Sequence, residues 1–333
     1  DSGYIARVAF IMDRILRIFG MQGKSVLSLI VSGGLGAGGC AVPGVMAART
    51  LREDKDRLIT IMVSPFMYCG AKIPVYAMLI AAFFANSRGA MMFLLWVLSW
   101  VFALCSAWML RKWVVKGEQT PFVMELPVYH LPTVRGILMD TWNRTWMYIR
   151  KAATIILGIS IIMWLLMYYP RHEAPELQAQ LKAAKNPAQI EQLEAQIANA
   201  QLKNSWAGKL GTSVESVSKY AGFSWRENIA LIGGLAAKEV VLGTMGTAYS
   251  MGKIEADASE PLSQYLSKSP DWNKLRAFVL LLFVVGYAPC LATLAAIKKE
   301  TGSWKWTAFS AIYSTAFAFI VSVVVYQIGQ IFM

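Results

Sequence analysis

Four stretches of this chain carry no Asp, Glu, Lys or Arg: Gly89 to Leu110, Ala152 to Pro170, Ala277 to Ile297, and Trp306 to Met333. Each is near or above the roughly 20 residues a helix needs to cross a bilayer. Backbone inside lipid must satisfy its own N–H and C=O groups, which makes helix the default there. The expected fold is therefore all-α, a polytopic transmembrane helical protein. Composition agrees, with 56% hydrophobic and 16% charged residues, against about 25% charged in soluble domains. That excludes a disordered chain, a fibrous chain and most soluble enzymes. The net charge of +12 is explained by cytoplasmic Lys/Arg loops. The expected partner is membrane lipid, not nucleic acid.

Not every apolar stretch is smooth. Residues 26–48 hold Gly33, Gly34, Gly36, Gly38, Gly39, Pro43 and Gly44, and residues 58–85 are interrupted by Pro65, Cys69-Gly70 and Pro74. Glycine costs about 1 kcal/mol against Ala within a helix, so breaks are expected. Residues 228–249 are again Gly-rich, with Lys238-Glu239 at their middle, and 275–297 breaks at Pro289-Cys290. Residues 90–110, 152–169 and 306–333 read as clean spans. Residues 4–19 and 205–222 read as amphipathic surface helices. Residues 117–144, with Pro121, Pro127 and Pro132, suit an interface. Residues 173–203, rich in Ala, Gln, Glu and Lys and broken at Asn186-Pro187, read as a soluble helical hairpin. Residues 51–57 and 250–272 read as polar loops. Beginning at Asp1-Ser2-Gly3 with no initiator Met or signal peptide, the chain reads as part of something longer.

The order of surface helix, Gly-rich broken segment, loop, broken span and clean span occurs at 4–110 and again at 205–332. Ser32-Gly33-Gly34-Leu35 and Ile232-Gly233-Gly234-Leu235 fall at matching places. Placing the loop of Arg49, Arg52, Lys55 and Arg57 inside, with Arg111, Lys112, Lys298 and Lys299 also inside, works only if 26–48 and 228–249 do not cross. Each is then a re-entrant hairpin, one entering from each side. This is an inverted repeat with its site where broken helices meet. The expected division is a first repeat at 1–116, an interfacial segment plus span at 117–172, the soluble extracytoplasmic hairpin at 173–203, and a second repeat at 204–333.

The breaks carry the candidate chemistry. Cys40, Cys69 and Cys290 sit beside Gly or Pro, and Glu239 is an acid within an apolar segment, which marks a functional site by default. Thiolates with a carboxylate suit a transition metal rather than Mg²⁺ or Ca²⁺. Met67 and Met46 are soft helpers, and Glu125 with His130 is a weaker candidate. Lys72 and Lys238 oppose a cation unless paired or turned away. Cys105 reads as a packing residue. Without a CxxC, neither a disulfide scaffold nor a thiol oxidoreductase is supported. Gly23-Lys24-Ser25 lacks the first glycine of a phosphate-binding loop. Neither His130 nor His172 neighbours a nucleophile, so no enzyme activity is expected of this chain.

The stretches Asp1-Ser2-Gly3-Tyr4, Gly39-Cys40-Ala41-Val42-Pro43, Cys69-Gly70-Ala71-Lys72-Ile73-Pro74, Pro121 to His130, Ala237-Lys238-Glu239-Val240-Val241 and Tyr287-Ala288-Pro289-Cys290 together resemble the membrane (Gate) domain of the bacterial ferrous iron transport protein B family. The resemblance covers nearly the whole chain, in order. It implies two Gate repeats and uptake of Fe²⁺ as the transported ion across the bacterial cytoplasmic (inner) membrane, with Cys40 and Cys290 lining the path and Cys69 matching a third family cysteine. It implies gating by a GTPase domain that binds GTP and Mg²⁺ outside this chain, and small cytosolic Feo accessory proteins as partners. A homo-oligomer is compatible with it. Ala41 stands where the family commonly has Asn, which removes an oxygen ligand beside Cys40. The family's last span and the 173–203 hairpin find no match. The alternative reading is a nucleoside-type secondary transporter of similar architecture. Its sugar hydroxyls would call for Asn, Gln, Ser and Glu at both hairpin tips, whereas the first tip offers Gly, Cys, Ala and Pro.

Overall fold

The structure, a computed structural model, describes residues 4–35, 38–115, 201–249, 259–269 and 272–332, with short runs and single positions between 133 and 200. The interfacial segment and the 173–203 hairpin therefore lie largely outside the described residues, and the 152–169 span is described at 157, 158, 161, 162 and 164–169. The named elements are all helical, and one isolated parallel bridge, Gly39 with Cys69, is the exception among the described residues. Three helical segments there are long and apolar enough to cross a membrane: Ala85–Trp113, Lys274–Thr301 and Trp304–Ile331. The chain is a multi-pass membrane protein.

In chain order the helices are α1 (Tyr4–Ile18), α2 (Ser25–Leu29), α3 (Ala41–Ala47), α4 (Asp54–Val63), α5 (Ile73–Phe83) and α6 (Arg88–Trp113). They continue with α7 (Trp206–Ser218), α8 (Trp225–Ala236), α9 (Val240–Ala248), α10 (Ser259–Lys268), α11 (Lys274–Gly286), α12 (Leu291–Thr301) and α13 (Trp304–Ile331). A π-helical turn, Ile30–Gly34, extends α2. The breaks fall where the sequence loads Gly, Pro and Cys: between α2 and α3, α4 and α5, α8 and α9, and α11 and α12. On α13 the small polar side chains of Thr307, Ser310, Ser314 and Ser322 are buried while Ile312, Ile320, Val324 and Ile328 are exposed. Small residues toward protein and branched apolar ones outward are what lipid as solvent selects.

The chain forms two compact units that interleave along the sequence. The first takes residues 1–70, 93–156 and 285–316, and the second takes 71–92, 157–284 and 317–333. Each thus holds one amphipathic helix, one broken hairpin, and one half of each broken span. In the first unit, α2 packs against α1, α3 and α4, and α12 packs against α3. Leu29, Val45, Ile59, Ile61, Val63 and Phe66 are fully buried there. The α2–α4 seam is bonded by hydroxyls. Ser25 and Thr60 stand 2.8 Å apart, Ser28 and Ser64 2.9 Å apart, and Ser28 Oγ donates to the Gly44 carbonyl of α3 at 2.6 Å.

In the second unit α8 packs against both α7 and α9, and α10 packs against α5. Ile229, Ala207, Leu202 and Ala248 form a buried cluster against which Met167 and Trp225 pack. The surface helices expose apolar stripes, Phe10, Ile11, Ile15 and Ile18 on α1 and Trp206, Leu210, Val214 and Val217 on α7.

Two polar stretches differ from the loops expected. Ser259–Lys268 is helical because Leu262 and Leu266, one turn apart, give it a buried face. Helix α4 starts early, at Asp54. Its Asp56 is buried and accepts from Arg111 Nη1 at 2.9 Å. Arg111 is thus the ion-pair partner of a buried carboxylate as well as a basic residue ending a span.

Candidate functional site

The turn of the first hairpin nests against the break of the first broken span, both within the first unit. Helix α4 ends into a 3-10 turn, Ser64–Phe66, with Pro65 inside it, and Met67 is extended at φ −61° and ψ 160°. The backbone groups released there meet those released by the hairpin. Gly70 N–H donates to the Gly39 carbonyl at 2.9 Å, and Cys40 N–H to the Val31 carbonyl at 3.3 Å. Gly33 makes the approach feasible. Its φ of +124° suits glycine, and a Cβ there would lie 2.0 Å from the Tyr68 carbonyl oxygen. Cys40 and Cys69 are thereby brought to neighbouring strands of one short bridge.

Cys290 arrives from the other end of the sequence. Pro289 interrupts the second broken span, and Cys290 is the extended N-cap residue of α12. Cys40 holds the same place at the start of α3. Helices α3 and α12 pack side by side, and near their C-terminal ends Arg49, just past α3, donates from Nε and Nη2 to the carboxylate of Glu300 in the last turn of α12 at 2.6 Å each. The carboxylate raises the Arg49 pKa, chiefly through these hydrogen bonds. The two helices therefore run in the same direction from their cysteine caps to this clasp. Cys69 and Cys290 both lie near enough to Tyr287 to act on it electrostatically, and Cys290 Sγ is 3.2 Å from Thr293 Oγ1. All three cysteines are free thiols of intermediate exposure. Among the described residues no three His, Cys, Asp or Glu side chains are close enough to hold a metal ion together.

The other sequence candidates fall elsewhere. Met67 is fully buried beside the break, and Met46 is partly exposed. Glu239 is exposed and belongs to the second unit. Glu125 and His130 lie outside the described residues. Lys72 and Lys238 are buried, and each has an interaction partner.

Two features escaped the sequence reading. The Gly34 carbonyl, last residue of the π-helical turn, accepts from both Trp96 Nε1 and Trp100 Nε1 of α6 at 3.0 Å. The i, i+4 spacing of these tryptophans is the readable signal, although their shared acceptor is not. The second is Glu227, 1% exposed, at the centre of a network in the second unit. Its carboxylate accepts from Ser224 N–H and Ser224 Oγ at 2.6 Å each, from Arg276 Nη2 at 3.1 Å, and from Tyr249 OH. Trp272 Nε1 donates in turn to Tyr249 OH at 2.8 Å. Ser224 with Glu227 three residues on is a helix-start signature. The same carboxylate ties the start of α8 to the residue after α9 and to α11.

Comparison with known proteins gives the chain its setting. The ferrous iron transport protein B C terminus family matches residues 92–144, and the Gate family, described as nucleoside recognition, matches 1–83 and 149–304. An Fe(2+) transport protein A/Fe(2+) transporter FeoB fusion protein of Porphyromonas gingivalis is 40% identical, over 100% of this chain and 41% of its own length. The Fe(2+) transporter FeoB of Methanocaldococcus jannaschii is 35% identical over 99% of this chain and 45% of its own length. The Fe(2+) transporter FeoB of Staphylococcus aureus strain MSSA476 is 34% identical over 100% and 45% respectively. The chain thus spans less than half the length of each of these relatives. No solved structure matches it.

Proposed function

This chain belongs to the ferrous iron transport protein B family as its membrane (Gate) domain, and we propose that it forms the path by which Fe²⁺ crosses the bacterial inner membrane. The observation that carries this reading is the Gly39–Cys69 bridge, which sets Cys69 against the residue preceding Cys40, with Cys290 at the start of the helix packed against α3. Thiolates are donors for a transition metal. Thiols set along the breaks, rather than gathered in one closed cage, suit an ion that must leave as well as arrive. Fe²⁺ stands low in the affinity order of divalent metals, which favours release.

The architecture belongs to the same proposal. Residues 26–48 and 228–249 are re-entrant, and 4–110 repeats as 205–332 in inverted topology. The composition of the two units supports this. Exchanging the first repeat's α1, α2–α3, α4 and α5 for the second's α7, α8–α9, α11 and α12 turns one unit's inventory into the other's. The 173–203 segment is a passive extracytoplasmic insertion. The longer relatives' remaining length is where a GTP- and Mg²⁺-binding gating domain would reside, and a small Feo protein is a cytosolic partner. Glu239 serves as a carboxylate along the path, with Met67, Glu125 and His130 in lesser roles.

The test is anaerobic Fe²⁺ uptake by the full-length protein carrying Cys40→Ser, Cys69→Ser or Cys290→Ser. Losing a ligand is expected to lower uptake about 10-fold or more, as for other disturbed metal sites. Unchanged uptake in Cys40→Ser and Cys290→Ser alike would overturn the ligand role. The description of the Gate family favours a second reading, nucleoside transport. Nucleoside uptake measured beside Fe²⁺ uptake separates the two, since cysteine replacement should spare the former.

A further inference from the structure

Within the second unit, a cavity of about 280 Å³ opens between α5, the start of α6 and α10. Its wall is apolar. Ala77 and Ala81, one turn apart on α5, leave the space, and Ile80 and Met92 help line it. Its polar end is made by Arg88 and Ser263, and no acidic residue lines it.

The position within the membrane span gives this shape a meaning. Arg88 is the first residue of α6 and lies within the first turn of the span Ala85–Trp113. Its exposed guanidinium therefore stands at headgroup level, where an arginine at a span's end is stable. Met92 lies one turn deeper, and its neighbours Phe93 and Leu94 are exposed apolar side chains of the kind that faces lipid chains. A cation with a hydroxyl at the interface and an apolar slot running inward match an amphiphile with an anionic head. A soluble anion would leave the apolar wall without a partner, and a neutral lipid would leave the arginine without one.

We propose that this cavity is a binding site for an anionic phospholipid, its phosphate on Arg88 and Ser263 and one acyl chain against Ala77, Ala81 and Met92. None of the cysteines lines the cavity, and the proposal holds whether or not they carry iron.

The intact protein, purified from a membrane extract and exchanged into equimolar phosphatidylglycerol and phosphatidylcholine, would be examined by native mass spectrometry for retained lipid. Phosphatidylglycerol should be retained in preference. Arg88→Gln should reduce that preference about fivefold, the factor corresponding to roughly 1 kcal/mol per basic residue at an anionic lipid surface, and Arg88→Lys should keep most of it. Ala81→Leu, which narrows the slot, should weaken retention of both lipids, and Ala77→Leu serves should that variant fail to fold. Soluble glycerol phosphate should not displace the bound lipid. An unchanged preference in Arg88→Gln would overturn the proposal. So would displacement by glycerol phosphate at concentrations matching the lipid, which would mark a site for free phosphate.

Discussion

In the first unit the broken hairpin is held by uncharged groups, and in the second by a charge. Helices α2 and α3 join through the hydroxyl of Ser28 on the Gly44 carbonyl and through close contact at Gly44, while Trp96 and Trp100 hold the turn. Helices α8 and α9 join through Glu227, which takes bonds from Ser224, Tyr249 and Arg276. Hydroxyl-to-carbonyl bonds bring little electrostatic field and leave small side chains at the seam. A buried carboxylate must be satisfied fully or it destabilises its surroundings. The three cysteine breaks all belong to the unit with the uncharged seam. In that unit the ion pairs of Asp13 with Arg17, Arg49 with Glu300 and Asp56 with Arg111 involve none of the cysteines.

The largest expected effect is at Glu227. Glu227→Ala takes the carboxylate away from Arg276, whose side chain is 17% exposed, and should cost about 3–5 kcal/mol, the usual range for breaking one partner of a buried pair. Thermal unfolding in detergent measures it. Glu227→Gln keeps one acceptor oxygen, enough for Ser224 or for Tyr249, and should fall between. Wild-type melting in Glu227→Ala would erase the contrast between the two hairpins.

Next comes steric fit in the first unit. A Cβ on Gly44 would lie 1.7 Å from Ser32 Oγ, so Gly44→Ala should cost about 1–3 kcal/mol, as overpacked cores do. Ser32→Ala in the same molecule removes the clashing oxygen and should restore part of the loss. Additive losses in the double variant would show that the two helices are not held by contact at this point.

The smallest effect sharpens the comparison at the hairpin turn. Trp96→Phe or Trp100→Phe removes one of two donors to the Gly34 carbonyl, a change of about 0.5–1.5 kcal/mol. The double replacement leaves that acceptor without either tryptophan and should exceed the sum of the singles. Hydrogen exchange of the Val31, Gly39 and Cys40 amides reads it directly. Equal protection in the double variant and the wild type would mean the turn is held by the Gly39–Cys69 bridge alone.

Much of this molecule could be read from residue order. Long uncharged runs show as helices α6 and α13, and clusters of Gly and Pro mark where α2, α4, α8 and α11 stop. The turn signal at Asn186-Pro187 cannot be compared, since it lies outside the described residues. Less legible were the short helix Ser259–Lys268 and the early start of α4 at Asp54. In each the local composition is polar, and one buried face of two or three residues decides the outcome through tertiary contact. The candidate residues Cys40, Cys69 and Cys290 stood out because they sit at breaks. Glu227 did not, because Ser224-x-x-Glu227 reads as an ordinary helix start.

The sequence by itself determined that this chain lives in lipid and where its helices must break. Both follow from local physics, since a backbone in hydrocarbon satisfies itself within the segment, and Gly and Pro prevent that at fixed positions. Only the tertiary structure decided which breaks meet. Gly39 takes the amide of Gly70, Cys69 comes near Tyr287, and Arg276 reaches Glu227. Each of these joins groups far apart in the chain, and the groups that a break frees carry no mark of the partner that will satisfy them.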